Sequence, residues 1–232
     1  METNHCNVLV ADGSHIHFAA AICDEMEASA KARGTGIARR SPEYIAGKML
    51  EGKAIIAIDP LGNWAGFCYI ETWSHGKFVA NSGLIVVPAH RRGRLATRIK
   101  QAVFELSRKK YPEAKIFGLT TGLAVMKINS ELGYEPVTYS ELTDDEDFWK
   151  GCRSCVNHEI LQSKNRKNCL CTAMLFDPSA TTLPPPDNAA TRFKKQSKLY
   201  ERWMRFKQHI LLRSQAKTES SSHKKNYHAF AR

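Results

Sequence analysis

Three apolar runs, "KAIIAID", "WAGFCYIETW" and "FVANSGLIVVP", follow one another between Lys53 and Pro88 with only "PLGN" and "SHGK" between them. Such connections are too short for a crossover helix, so the runs must pair antiparallel as a meander. Everything else in the chain has to be arranged around that ribbon.

On either side of it the hydrophobic period alternates. "CNVLVADG" reads as an opening strand. "SHIHFAAAICDEMEASAKA" reads as a helix with Ser14 as N-cap and Ile16, Ala19, Ala20 and Cys23 on one face, ending at "RGTG". "SPEYIAGKMLEG" is a second helix, capped by Ser41 with Pro42 in the first helical position, where its missing N–H costs nothing. After the ribbon, "LATRIKQAVFELSRKK" repeats apolar residues at Leu95, Ile99, Val103 and Leu106. "AKIFGLTT" is a buried strand, "GLAVMKINSELG" a helix ended by Gly133, and "YEPVTYSEL" and "CLCTAMLFD" are the last strands. The order β-α-α-β-β-β-α-β-α-β-β predicts an α/β fold: a mixed, mostly antiparallel sheet with helices on both faces.

The net charge of +11 is unevenly spread. From residue 189 to the end there are twelve Lys and Arg against two Glu, a net +10, so the 188 residues before it are almost neutral. The excess follows "TTLPPPDNAA", whose three prolines stop a strand or helix from passing through. We therefore read residues 1–178 as one domain, 179–191 as a Pro-rich linker, and 192–232 as a basic helical tail that ends in a disordered polar segment. Leu199, Trp203, Phe206 and Ile210 share a helical face in that tail. Such a face needs cover, from its own domain, a homodimer partner, another protein or an anionic surface, and the neutral body makes no strong case for nucleic acid. The chain opens without a basic, then apolar leader and holds no run near the roughly 18 apolar residues of a membrane span, which predicts a soluble, cytoplasmic protein. Seven cysteines are then reduced thiols or metal ligands rather than a disulfide framework.

Between the last two strands lies an insertion, residues 143–171, which carries Cys152 and Cys155 as C-x2-C and Cys169 and Cys171 as C-x-C. Four thiolates could form a closed structural zinc site, with His158 as a substitute ligand; buried unpaired thiols and a redox pair are the other readings. Cys169 and Cys171 are expected on one face of a strand.

The junction "VPAHRRGRLA" is a strand, a basic turn and a helix start. Backbone N–H groups at a helix N-terminus, assisted by the helix dipole, can hold a phosphate, although a turn of this kind is also found as a plain solvated basic loop. With "SGLIVVP" before it and "LAVMKINSELGYEPV" after it, the chain resembles the GNAT superfamily of N-acyltransferases over roughly residues 5–178. The resemblance implies that Arg91, Arg92, Gly93, Arg94, Leu95 and Ala96 form the acyl-CoA loop, in which Arg94 stands where the family has glycine. Because Arg94 is near the first helical turn, ordinary φ values are expected there. It also implies that the backbone of Leu84, Ile85 and Val86 receives the thioester, and that acetyl-CoA or succinyl-CoA is the donor.

The reaction the resemblance implies is attack of a neutral amine on a thioester, which calls for a base, an oxyanion donor and a route for the leaving thiolate. Glu71 and His75, at the end of the strand before the loop, are the nearest candidate bases, and each is also an ordinary strand-end residue. Asn129 falls where many GNAT enzymes place a tyrosine acid; lacking a titratable proton, it could bond the sulfur or order a water. Arg33, Arg39 and Arg40 gather in "KARGTGIARR", where arginine forks suit the carboxylates of an acidic amino acid, or form an exposed basic loop. The wording of the chain is similar to bacterial GNAT proteins of arginine biosynthesis proposed to make N-acylglutamate, which implies glutamate as acceptor, held by these arginines and Lys77. A catalytically weak binding or regulatory module acting through the basic tail is the alternative.

Overall fold

The computed structural model describes residues 6–34 and 38–180; the tail and most of the linker lie outside them. The chain runs through β1 (Asn7–Val10), a 3-10 turn (Gly13–Phe18), α1 (Ala19–Arg33), α2 (Pro42–Leu50), β2 (Ala54–Ile58), β3 (Trp64–Trp73) and β4 (Phe78–Val86). It continues through α3 (Leu95–Lys110), β5 (Lys115–Thr120), α4 (Leu123–Glu131), β6 (Glu135–Val137), α5 (Glu146–Lys150), α6 (His158–Ser163) and β7 (Thr172–Phe176). The seven strands form one sheet in the order β1-β2-β3-β4-β5-β7-β6, antiparallel except at β4–β5. No helix among the described residues is long and apolar enough to cross a membrane.

Alternation along the strands separates the two faces. Val79, Ile116 and Met174 pack with Ile99 and Val103 of α3 and Met126 of α4. On the opposite face, Ile56, Phe67, Tyr69 and Ile85 pack against Ile22, Met26, Ile45 and Met49 of α1 and α2. Ala80, Phe117, Ala173 and Leu175, neighbours of the residues on the first face, pack instead against Trp149 of α5 and Leu161 of α6. The insertion therefore covers the half of the sheet that α1 and α2 leave open.

Two details of the first helix differ from the expectation. Asp12, not Ser14, is the cap, its carboxylate accepting from the Ser14 N–H at 2.9 Å. The first turn is a 3-10 turn with about three residues per turn, which rotates the following face. Ala19, Ile22, Met26 and Ala30 are buried, whereas Ile16 and Ala20 are exposed. The second helix keeps its expected start, with the Ser41 hydroxyl accepting from the Tyr44 N–H at 3.2 Å and Pro42 at the first position. Of "YEPVTYSEL" only three residues form a strand. Thr138 and Glu141 then close a reciprocal capping box over a 3-10 turn.

Candidate active site

β4 and β5 pair in parallel only from Phe78 to Ala80, against Lys115 to Phe117. Beyond that they separate, although β4 continues to Val86 and β5 to Thr120. The register of β4 against β3 explains the divergence: Phe67 faces Ile85 while Tyr69 faces Ser82, so β4 carries one extra residue, a bulge. Gly83 sits in it with φ +65°, and a Cβ there would stand 2.5 Å from a Tyr69 ring carbon. Only glycine meets both demands. At the apex, the Asn81 carbonyl faces Gly118 of β5. The result is a V-shaped opening whose β4 edge carries unpaired backbone groups.

The loop leading to α3 closes the wide end. Arg92 and Arg94 have φ values of +67° and +59°, and Arg94 is the N-cap of α3 in the left-handed region. The ordinary φ expected at Arg94 is thus corrected: the backbone here takes the glycine conformation, with arginine bearing its strain. Among the described residues, the N–H groups of Arg92, Gly93, Arg94, Leu95 and Ala96 donate to no other backbone group in a turn or loop. Arg91 is engaged elsewhere. Its Nε donates to the Val86 carbonyl at 2.9 Å, and its Nη2 to Ser29 Oγ at 2.8 Å and Glu25 Oε1 at 3.1 Å. Partial burial and the nearby Arg91 guanidinium push Arg33 below the ordinary guanidinium range. With Arg91 paired to Glu25, it is the unbonded amides at the start of α3 that make this end of the opening suited to an anion.

On the face covered by α1 and α2, Glu71 is 3% exposed and lies two residues before the end of β3, opposite Ala80, at the level of the apex. Arg40 Nη2 donates to its Oε1 at 3.0 Å, the Tyr44 hydroxyl to the same oxygen at 2.5 Å, and the Ser82 hydroxyl to Oε2 at 2.6 Å. Arg40 Nε also donates to the Tyr69 hydroxyl at 3.0 Å. Burial opposes the Arg40 charge, but the Tyr69 hydroxyl and the Glu71 carboxylate outweigh it and hold the guanidinium protonated. Burial, then the Glu71 carboxylate, pushes the Tyr44 and Tyr69 hydroxyls well above the ordinary phenol range, so both stay protonated, Tyr44 donating to Glu71 and Tyr69 accepting from Arg40.

No family model matches the sequence, and no curated protein sequence matches it. Solved structures do. N-acetylglutamate synthase from Neisseria gonorrhoeae, complexed with coenzyme A and N-acetylglutamate, superposes with a TM-score of 0.53 at 18% identity, over 75% of this chain and 35% of that one. Rv2747 from Mycobacterium tuberculosis, in complex with CoA, gives 0.52 at 16% identity, over 74% and 98%. A GNAT superfamily phosphinothricin acetyltransferase from Sinorhizobium meliloti, with acetyl-CoA, gives 0.52 at 11% identity, over 79% and 94%. The chain has the GNAT fold. It spans about a third of the N. gonorrhoeae enzyme's length.

Within this GNAT fold the sequence candidates separate. Leu84, Ile85 and Val86 line β4 at the opening, and the loop from Arg91 to Ala96 ends it. Glu71 and Arg40 meet. His75 and Lys77 are exposed in the hairpin turn between β3 and β4, about 10 Å or more along the ribbon from the Glu71–Ala80 pair. Arg39 is exposed, with Nη2 2.8 Å from Glu27 Oε1 and its backbone N–H donating to Ser154 Oγ at 3.1 Å. Tyr44, Tyr69 and Ser82 were not singled out from sequence. They resemble ordinary helix and strand residues, and only pairing across three elements reveals them.

On the other face, Asn129 is buried, its Oδ1 lacks a partner, and its Nδ2 reaches only the Met174 sulfur at 3.7 Å. Nearby, Asn81 Oδ1 accepts from the Tyr134 hydroxyl at 2.9 Å and from Lys100 Nζ at 3.5 Å, while Asn81 Nδ2 donates to Ser107 Oγ at 2.8 Å. Lys100 sits on the buried side of α3 in a sequence position that reads as polar, so this group too was missed.

The cysteine insertion is helical. Cys169 and Cys171 precede β7 in irregular chain instead of sharing a strand face. Burial, then neighbouring thiols, pushes Cys152 up to about 11 and Cys171 up to about 12. Cys155 Sγ accepts from the Asn157 N–H at 3.4 Å. All seven cysteines are free. Among the described residues no three His, Cys, Asp or Glu converge to hold a metal ion. Zinc was one of three readings of the spacing, and the strand expected at Cys169 and Cys171 is not formed. His158, the substitute ligand, opens α6.

Proposed function

We propose that this chain is a CoA-dependent N-acyltransferase that moves a short acyl group, acetyl or succinyl, onto the amino group of a small acidic acceptor, glutamate. The observation that carries the reading is the β4–β5 opening, with unbonded loop amides at its wide end and a buried carboxylate beside its apex. The loop from Arg92 to Ala96 holds the pyrophosphate, and the free edge of β4 receives the arm that follows it. Backbone groups alternate along a strand, and the Val87 N–H donates to Ala65 on β3. Val86 and Leu84 therefore turn their N–H groups into the opening, where one of them stabilises the oxyanion, and Ile85 turns toward β3.

The neutral acceptor amine attacks the thioester carbon; as the C–N bond forms its surplus proton passes through the Ser82 hydroxyl to Glu71, and the C–S bond breaks to release the CoA thiolate. Asn129 cannot protonate that sulfur, so the thiolate leaves toward solvent. Arg40 uses three of its five donors within the protein, on Tyr69, Glu71 and the Arg39 carbonyl. Two remain for an acceptor carboxylate. A fold neighbour that binds N-acetylglutamate supports the same choice.

An acceptor screen with acetyl-CoA and succinyl-CoA, read by release of free thiol, tests the reading; glutamate is expected to give the fastest release. In the same assay Glu71→Gln should lower kcat by about 10²- to 10⁴-fold, the range for losing a general base, with acyl-CoA still binding. Full turnover by that variant would remove Glu71 from the role.

A further inference from the structure

Lys100 is 2% exposed, and among the described residues it forms no ion pair with a carboxylate. Lysine is almost never buried without a partner. Around its amine stand Asn81 from β4, the Tyr134 ring at 5.3 Å from the segment after α4, and the Cys68 thiol from β3. None brings a negative charge: Asn81 is committed to Tyr134 and Ser107, and burial pushes the Cys68 thiol up to about 11.

A second buried group in the same region is also unmet, the Asn129 Oδ1. Gly118 of β5 lies beside Asn129 and the Asn81 backbone. A Cβ built there would be 3.8 Å from Asn129 Nδ2 and 4.0 Å from the Asn81 carbonyl, so its absence leaves room at the apex of the opening. In the proposed function that apex receives the acyl end of the donor. An acetyl methyl placed there would leave the amine without a counter-charge. A chain ending in a carboxylate would supply one.

We propose that the donor is the CoA thioester of a short dicarboxylic acid, of the succinyl class, and that Lys100 reads its free carboxylate. This rests on the acyltransferase reading above. It fixes the donor and gives the buried amine a purpose. Burial holds the empty Lys100 below the ordinary lysine range, and an arriving carboxylate acts the other way, so binding of such a donor shifts the amine toward its charged form.

The full chain titrated by calorimetry with succinyl-CoA, butyryl-CoA and acetyl-CoA tests this, because butyryl matches succinyl in chain length and lacks its charge. Succinyl-CoA is expected to bind at least about tenfold tighter than butyryl-CoA. Lys100→Met should reduce the succinyl-over-butyryl ratio about ten- to a hundredfold. If that variant does not fold, Asn81→Asp, which places a carboxylate beside the amine, should reduce the same ratio. Equal affinity for succinyl and butyryl in the unaltered chain, or a ratio unmoved in the variant that folds, overturns the proposal alone. Absence of heat with all three thioesters removes the acyltransferase reading and this one with it.

Discussion

Arg94 shows how a single residue can hold a conformation against its own preference. Its φ of +59° is one that glycine adopts freely and a side chain adopts at a cost of about 1 kcal/mol. Arg94→Gly should therefore raise the melting temperature of the ligand-free protein by roughly 2–4 °C, the shift per kcal/mol for a chain of this size. If its guanidinium holds phosphate, the same variant should weaken acyl-CoA binding by about tenfold, and calorimetry separates the two effects. The position of the loop is legible in "VPAHRRGRLA", but its backbone conformation is not, because helix-start rules allow arginine an ordinary φ there. Glu71 was legible as an acid near the end of its strand, but its burial was not. Its burial depends on Arg40, Tyr44 and Ser82 arriving from three other parts of the chain.

Among the elements, the sheet is clamped at the start of β5 and the end of β7 by Lys115 Nζ and Asp177 Oδ2, 2.8 Å apart. Partial burial works to raise the Asp177 pKa, but the Lys115 ammonium and the Ser179 donors outweigh it and lower it to about 2. The unfolded carboxyl titrates near 4, so the folded state binds fewer protons between those values. This contribution to stability is complete above about pH 4 and disappears as pH falls toward about 2. Lys115→Met should flatten that part of an acid-unfolding curve, and an unchanged slope would show that the pair contributes nothing. Strands, helices and their order were readable from period and turn chemistry, with β3 and α3 found at their expected ends. The start of α1 was not, since a 3-10 turn changes the period, and the C-x-C pair was misplaced because alternation signals a strand only where a neighbour is present to pair with it.

For the whole molecule, a ligand that binds only the folded state stabilises it by mass action. At a hundred times its Kd an acyl-CoA should add about 2.7 kcal/mol, seen as a rise of about 5–11 °C in melting temperature. A flat melting curve with acetyl-CoA and with succinyl-CoA would oppose the proposed function at its first step. By itself the sequence determined the meander, the flanking helices and the basic turn before α3, because each follows from contacts between residues close in the chain. Only the tertiary structure decided that β4 leaves β5 after Ala80, that Arg40 closes on Glu71, and that Lys100 is enclosed with no counter-charge among the described residues. Those outcomes depend on residues brought together across the sheet from distant segments, and one chain's local periodicity carries no record of which partners will meet or which will be left wanting one.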